Sequence, residues 1–157
     1  NVRMGDPECQ IILPKLKSDL IGLILACIEG KLIDFKIDWS DKKSLCVVLC
    51  SNGYPDNYKK NIVIDNLGKL YIDDNNFIFH AGTVKSKNRI LSIGGRVLNF
   101  ISISDDFLLA RKNIHKNLDK LSWDKGFYRK DIGFKVINKW ELLGEFIRVK
   151  KFYYPKI

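Results

Sequence analysis

The residues best suited to chemistry open the chain: Asn1-Val2-Arg3-Met4-Gly5-Asp6-Pro7-Glu8. Asn1 offers a carbonyl oxygen, a donor that suits a hard cation such as Mg²⁺. Arg3 offers a planar fork for a carboxylate or phosphate. Alternation along a strand would place Asn1 and Arg3 on one face. Gly5 and Pro7 would then end that strand and turn the chain. With Asp6 and Glu8 following, such a strand end has the groups to hold a metal–phosphate substrate. The same residues also read as a solvated strand-to-helix turn with Asp6 or Glu8 at the helix start. A second candidate is Gly94-Gly95-Arg96. Paired glycines permit close backbone approach to a ligand, and Arg96 suits an anion. They also describe a tight hairpin.

Elements to position these groups follow from periodicity. Cys9–Leu13 predicts a short helix stopping near Pro14. Ser18 predicts an N-cap with Asp19 in the first turn. Leu20, Ile21, Ile24, Leu25 and Ile28 recur at helical spacing, with Gly30 as the stop; this helix is expected to cover a sheet carrying Asn1 and Arg3. Ile33–Lys43 is a charged connection. Leu45–Cys50 is a short apolar run that suits a buried strand, and Asn52-Gly53-Tyr54-Pro55 is a turn. Strands are expected at Ile62–Ile64, Phe77–His80, Ile90–Ile93, Val97–Ser104 and Phe134–Ile137, with a polar loop at Lys85–Arg89. Asp105 or Asp106 caps a long helix whose core stripe is Phe107, Ala110, Ile114, Leu118 and Leu121. His115 falls at its surface or rim, and Trp123 packs just beyond it. Short turns between strands, with one long helix, make an antiparallel α+β layer.

Composition narrows the classes of function. With 46% hydrophobic and 29% charged residues, the 157-residue chain is globular material. The apolar run near Leu20–Ile28 is too short to span a bilayer, and no signal peptide is visible. The net charge is +9. Lys dominates and is dispersed, which fits a solvated surface or attraction of phosphate-bearing substrates. No RNA- or DNA-binding motif accompanies the charge, so nucleic-acid binding is the weakest reading. Cys27, Cys46 and Cys50 fit buried thiols in a reducing cytoplasm. Neither His80 nor His115 completes a zinc-like spacing.

The opening Asn-Val-Arg-x-Gly-Asp-Pro-Glu resembles the end of the ATP-grasp domain of the phosphoribosylamine–glycine ligase (glycinamide ribonucleotide synthetase) family. Further matches follow in the family's order. They are Leu13-Pro14, Lys17-Ser18-Asp19-Leu20, Glu29-Gly30-Lys31-Leu32, Gly53-Tyr54-Pro55, Phe79-His80-Ala81-Gly82-Thr83, Gly94-Gly95-Arg96-Val97-Leu98 and Tyr128-Arg129-Lys130-Asp131-Ile132-Gly133. The resemblance runs from Asn1 to about Ile137. It implies the end of an ATP-grasp domain over residues 1–43, a small antiparallel-sheet α+β domain over 44–137, and an extension over 138–157. Family enzymes are much longer, and their pattern has a metal-binding Glu two residues before the Asn. The resemblance therefore implies the C-terminal part of an enzyme, beginning inside its active site, with the N-terminal part of the same enzyme as its partner.

The implied reaction joins glycine to 5-phosphoribosylamine at the expense of ATP, giving glycinamide ribonucleotide, ADP and phosphate in purine synthesis. Carboxylate is a poor acyl donor, so the γ-phosphate first makes a glycyl phosphate and the amine then attacks it; the protein mainly positions reactants and offsets charge. By matching position, Asn1 would ligate Mg²⁺ or Mn²⁺ and Arg3 would bind the carboxylate or acyl phosphate. Asp6 and Glu8 would orient the substrate amine or Arg3. Gly94, Gly95 and Arg96 would close over the phosphoribosyl side. Two other classes stand beside this one. A structural or interaction fragment would lack catalysis, and a nucleic-acid binder would use the basic, aromatic residues of 138–157.

Overall fold

A computed structural model describes residues 2–137; Asn1 and the 138–157 extension lie outside the described residues. The chain starts with a short helix, α1 (Glu8–Ile12), followed by a 3-10 turn at Leu13–Lys15 and then α2 (Leu20–Ile28). Seven strands and a long helix follow among the described residues. They are β1 (Lys43–Ser51), β2 (Ile62–Val63), β3 (Asn76–His80), β4 (Thr83–Ser86), β5 (Arg89–Ser92), β6 (Arg96–Ser104), α3 (Phe107–Leu121) and β7 (Gly126–Phe127). They build two antiparallel sheets, one ordered β3-β6-β1-β7 and the other β2-β5-β4. The fold class is α+β, as the short turns and single long helix predict.

The larger sheet is built on β1 and β6, paired along nearly their whole length from Lys43↔Ser104 to Leu49↔Leu98. On β1, Leu45, Val47 and Leu49 are buried in alternation, the period of a strand with one face on a core. Those residues meet Val97, Leu98, Phe100 and the α3 stripe Ala110, Ile114, Leu118 and Leu121 in one apolar cluster. Asp106 caps α3, accepting from the Leu109 N–H at 2.7 Å, which satisfies one of the donors a helix start leaves over. The polar member of the α3 core face is Asn117. Its Oδ1 accepts from the Tyr71 N–H and its Nδ2 donates to the Tyr71 carbonyl, both at 2.8 Å. Trp123 Nε1 donates to the Val63 carbonyl at 2.9 Å, tying the end of α3 to the small sheet.

Several local expectations are corrected. Residues 2–7 form bends and turns, not a strand, so no sheet carries Arg3. Asp19, not Ser18, caps α2: it accepts from the Ile21 and Gly22 amides, while Ser18 Oγ accepts from the Asp38 N–H and donates to the Lys36 carbonyl. No α2 residue is buried; Ile21, Ile24, Leu25 and Ile28 stay 50–76% exposed. Lys85–Arg89 is the tip of a β4–β5 hairpin, with Lys87 at φ 52. Gly94-Gly95 is not a hairpin: β5 and β6 belong to different sheets, and the glycines carry the chain between them. Phe134–Ile137 is turn, closed by the Val136 and Ile137 amides on the Gly133 carbonyl. Among the described residues no helix is long and apolar enough to cross a membrane.

Candidate functional site

The N-terminal candidates and the Gly-Gly-Arg candidate, far apart in sequence, meet in space. Asp6 lies in the turn that starts α1, and α1 packs against β1 and β6. Strand alternation puts Leu45, Val47 and Leu49 toward α3, which leaves the opposite face, with Cys46, to the N-terminal segment. Arg96 is the first residue of β6. Its Nη2 lies 3.0 Å from Asp6 Oδ2, and its Nη1 donates to the Asp6 carbonyl at 3.4 Å. Gln10 Nε2 donates to the other carboxylate oxygen of Asp6 at 3.0 Å. The carboxylate is thus held from two sides, while Gln10 Oε1 is buried with no hydrogen-bond partner among the described residues.

The backbone beneath Arg96 is held as closely. Gly82 N–H donates to the Arg96 carbonyl at 2.8 Å, and the Gly94 N–H donates to the Gly82 carbonyl at 3.1 Å. Ser51 N–H donates to the Gly95 carbonyl at 2.8 Å and Ser51 Oγ to the Gly94 carbonyl at 2.9 Å. A Cβ on Gly94 would stand 2.8 Å from the Gly82 Cα, and one on Gly95 would run into the Tyr54 ring. Protein therefore fills the room these two glycines create. Position 82 needs glycine because two backbones touch there. Within the phosphoribosyl-side trio, then, the structure joins only Arg96 to an N-terminal candidate.

Arg3 and Glu8 are exposed. Arg3 Nη1 donates to the Met4 carbonyl at 3.1 Å, a contact between neighbours that leaves most of the fork to solvent. The Glu8 carboxylate folds back over Gly5, where a Cβ would collide with it. Cys46 sits beneath this segment; burial first, and then the negative Asp6, push its thiol from 9.0 up to about 12. Burial also raises Cys50, with Arg96 acting in the opposite sense. All four cysteines are free thiols, and the two in β1 are poor nucleophiles at neutral pH.

A divalent cation does not fit the described residues by themselves. No group of three His, Cys, Asp or Glu side chains is placed to hold one. Asp6 is committed to Arg96 and Gln10, and Asn1 lies outside the described residues. Sequence reasoning missed Gln10, Ser51, Gly82 and Tyr54 as supports of this corner. Gly82 and Tyr54 stood inside quoted motifs, but nothing in the local pattern marks Gln10.

These features define a class of fold: an antiparallel α+β domain with one long helix on its larger sheet, among the described residues, that fastens a Gly-Asp-Pro-Glu turn to the first residue of a central strand. The sequence pattern of the phosphoribosylglycinamide synthetase C domain matches residues 44–135. The chain belongs to that family. It is 40% identical over 139 residues to the phosphoribosylamine–glycine ligase of Brucella melitensis, covering 88% of this chain and 33% of that protein. It is 45% identical over 142 residues to the bifunctional purine biosynthetic protein purD of Dictyostelium discoideum, covering 90% of this chain and 17% of that one. The crystal structure of phosphoribosylamine–glycine ligase from Thermotoga maritima superposes with a TM-score of 0.63 at 27% identity, covering 85% of this chain and 32% of that one. The chain thus spans a third or less of the length of these relatives.

Proposed function

We propose that this chain is the C-terminal part of an ATP-dependent ligase that joins glycine to 5-phosphoribosylamine, making glycinamide ribonucleotide through a glycyl phosphate. The observation that carries this is the 40% identity over 139 residues, a match longer than the stretch that follows Lys43, so that it takes in part of residues 1–43. Residues 1–43 form the end of an ATP-grasp domain, residues 44–137 the C domain, and 138–157 an extension. The remainder of the enzyme supplies the ATP site. The apolar, uncovered face of α2 is where that remainder would pack, because a stripe of this kind is ordinarily buried. The compartment is the cytoplasm, in keeping with four free thiols.

Within this enzyme Arg3 is the group that meets the glycine carboxylate and, after phosphoryl transfer, the acyl phosphate. Its fork is exposed and, among the described residues, donates only to the neighbouring Met4 carbonyl, which leaves it able to make a two-pronged contact. Glu8 orients the incoming amine, and Asp6 fixes the turn between them. Mg²⁺ or Mn²⁺ would accompany ATP and supply charge neutralisation at its phosphates, with Asn1 offering one oxygen ligand and the remainder of the enzyme the others. Gly94 and Gly95 have a supporting role, since their open side is occupied by Gly82 and Tyr54. The test is Arg3→Lys in the enzyme carrying its N-terminal two thirds. Lys keeps the charge and loses the fork, so kcat/KM for glycine should fall by roughly tenfold or more, the loss of one charged hydrogen bond. Near-normal kinetics would remove Arg3 from the site.

A further inference from the structure

The geometry points to Arg96 as a positioning residue: through its ion pair with Asp6, the C domain sets the placement of the Gly5–Glu8 turn in the active site. This rests on the function proposed above. Arg96 is rooted in a rigid place. Its carbonyl is fixed by the Gly82 amide, and the residue before it by Ser51. Its pairing opposite Cys50 follows a register shift in which Leu49 faces Leu98 while Cys50 faces Arg96. The guanidinium reaches both a carboxylate oxygen and the main-chain carbonyl of Asp6, so it fixes the orientation of the turn as well as its distance. Gln10 from α1 holds the remaining oxygen.

The exposure of the pair shows what it is not for. Arg96 and Asp6 side chains are 42% and 41% exposed. Ion pairs that wet contribute little to stability, worth about two- to fivefold in an opening equilibrium. A misplacement of about 1 Å in a reacting group can lower a rate by about a hundredfold. The pair is therefore weak as a brace and effective as a gauge. Arginine in a chain otherwise rich in lysine fits that task, because only the fork fixes direction.

Two measurements test this. The first is amide hydrogen exchange on the 157-residue chain. Arg96→Ala should speed exchange at Cys9 and Gln10, whose amides donate to the Gly5 and Pro7 carbonyls, by about two- to fivefold. Exchange at Leu49 and Leu98 in the core should not change. Arg96→Lys should fall between wild type and Arg96→Ala, and 1 M salt should erase the difference. Unchanged exchange at Cys9 and Gln10 overturns the tether. The second is a double-mutant cycle in the enzyme carrying its N-terminal two thirds. Arg96→Ala should lower kcat by about ten- to a hundredfold with little change in KM. In an Asp6→Ala background, which removes the ion pair and keeps only the 3.4 Å contact to the main-chain carbonyl, the same change should cost several-fold less than in the wild type. An equal loss in both backgrounds, or a raised KM for phosphoribosylamine, would mean that Arg96 touches substrate and not Asp6. If that enzyme's wild type makes no glycinamide ribonucleotide, the proposed function fails and the positioning role falls with it, while the exchange result still decides whether the tether exists.

Discussion

Replacing Gly82 by alanine tests the contact on which the two sheets depend. A Cβ at that position would stand 2.5 Å from the Gly94 Cα, 2.6 Å from the Arg96 carbonyl oxygen and 2.8 Å from the Gly94 nitrogen. All three are backbone atoms, so no side chain can swing aside. Relief requires the strands to part, at the expense of the hydrogen bonds from Gly82 N–H to Arg96, from Gly94 N–H to Gly82 and from Ile93 N–H to Gly82. Losing two of these at about 1 kcal/mol each, with about 1–2 kcal/mol of residual crowding, gives a destabilisation of about 3–4 kcal/mol. For a chain of this size that lowers Tm by about 10 °C. Urea unfolding followed by far-UV circular dichroism measures it. Gly68→Ala is the internal control, because nothing lies within 4 Å of its added carbon; it should change stability by less than about 1 kcal/mol, in the stabilising direction. If Gly82→Ala unfolds within 0.5 kcal/mol of Gly68→Ala (about the usual uncertainty of such differences), the backbone approach is no constraint and the account of this corner is wrong.

Other outcomes follow from the same geometry. Asn117→Ala strips both partners from Tyr71 and should cost about 2 kcal/mol, whereas Asn117→Asp, which presents an acceptor to a carbonyl, should cost at least as much; equilibrium unfolding of both variants at pH 7 checks this. Cys46 titrates at about 12 in the fold against an ordinary 9.0, so its contribution to stability is complete below pH 9 and is lost as pH rises toward 12. The difference in unfolding free energy between wild type and Cys46→Ala should accordingly shrink over that window, by up to about 1.4 kcal/mol per pH unit, and a difference that stays level would contradict the raised pKa. The chain of 157 residues incubated with ATP, glycine and phosphoribosylamine should release no ADP above background, and turnover by this chain alone would refute the proposal that it works as one part of a longer ligase.

Much of the domain was legible because its signals are local. The apolar run Leu45–Cys50, the stripe from Phe107 to Leu121 and the Asp106 cap each state their element within a few residues, and β1 and α3 follow them closely. Gly30, with φ 69, stops α2 as a glycine after a helix should. The chemical candidates were visible too, since Arg3, Asp6, Glu8 and Arg96 carry functional groups whatever the fold. Where reasoning from the residues failed, two structures shared one local pattern. Gly94-Gly95 serves a hairpin and a passage between sheets equally well, and only the pairing of β5 with β4 and of β6 with β1 chooses between them. The polar stretch Lys85–Arg89 became a hairpin tip because Thr83–Ser86 and Arg89–Ser92 found each other.

The apolar stripe of α2 shows the limit of periodicity. It announces a face that wants cover without saying which surface supplies it, and in this chain Ile21 and Ile28 remain 69% and 76% exposed. The site shows the same limit more sharply. Sequence alone determined that a carboxylate stands at position 6 and a guanidinium at position 96, and what each can bind. Only the tertiary structure decided that they bind each other. That contact spans ninety positions and exists because α1 lies on β1 and β6 while the Gly82–Gly94 approach fixes where β6 begins. Side-chain chemistry is a property of single residues, whereas the meeting of two distant ones depends on strand pairing and packing that no short stretch contains.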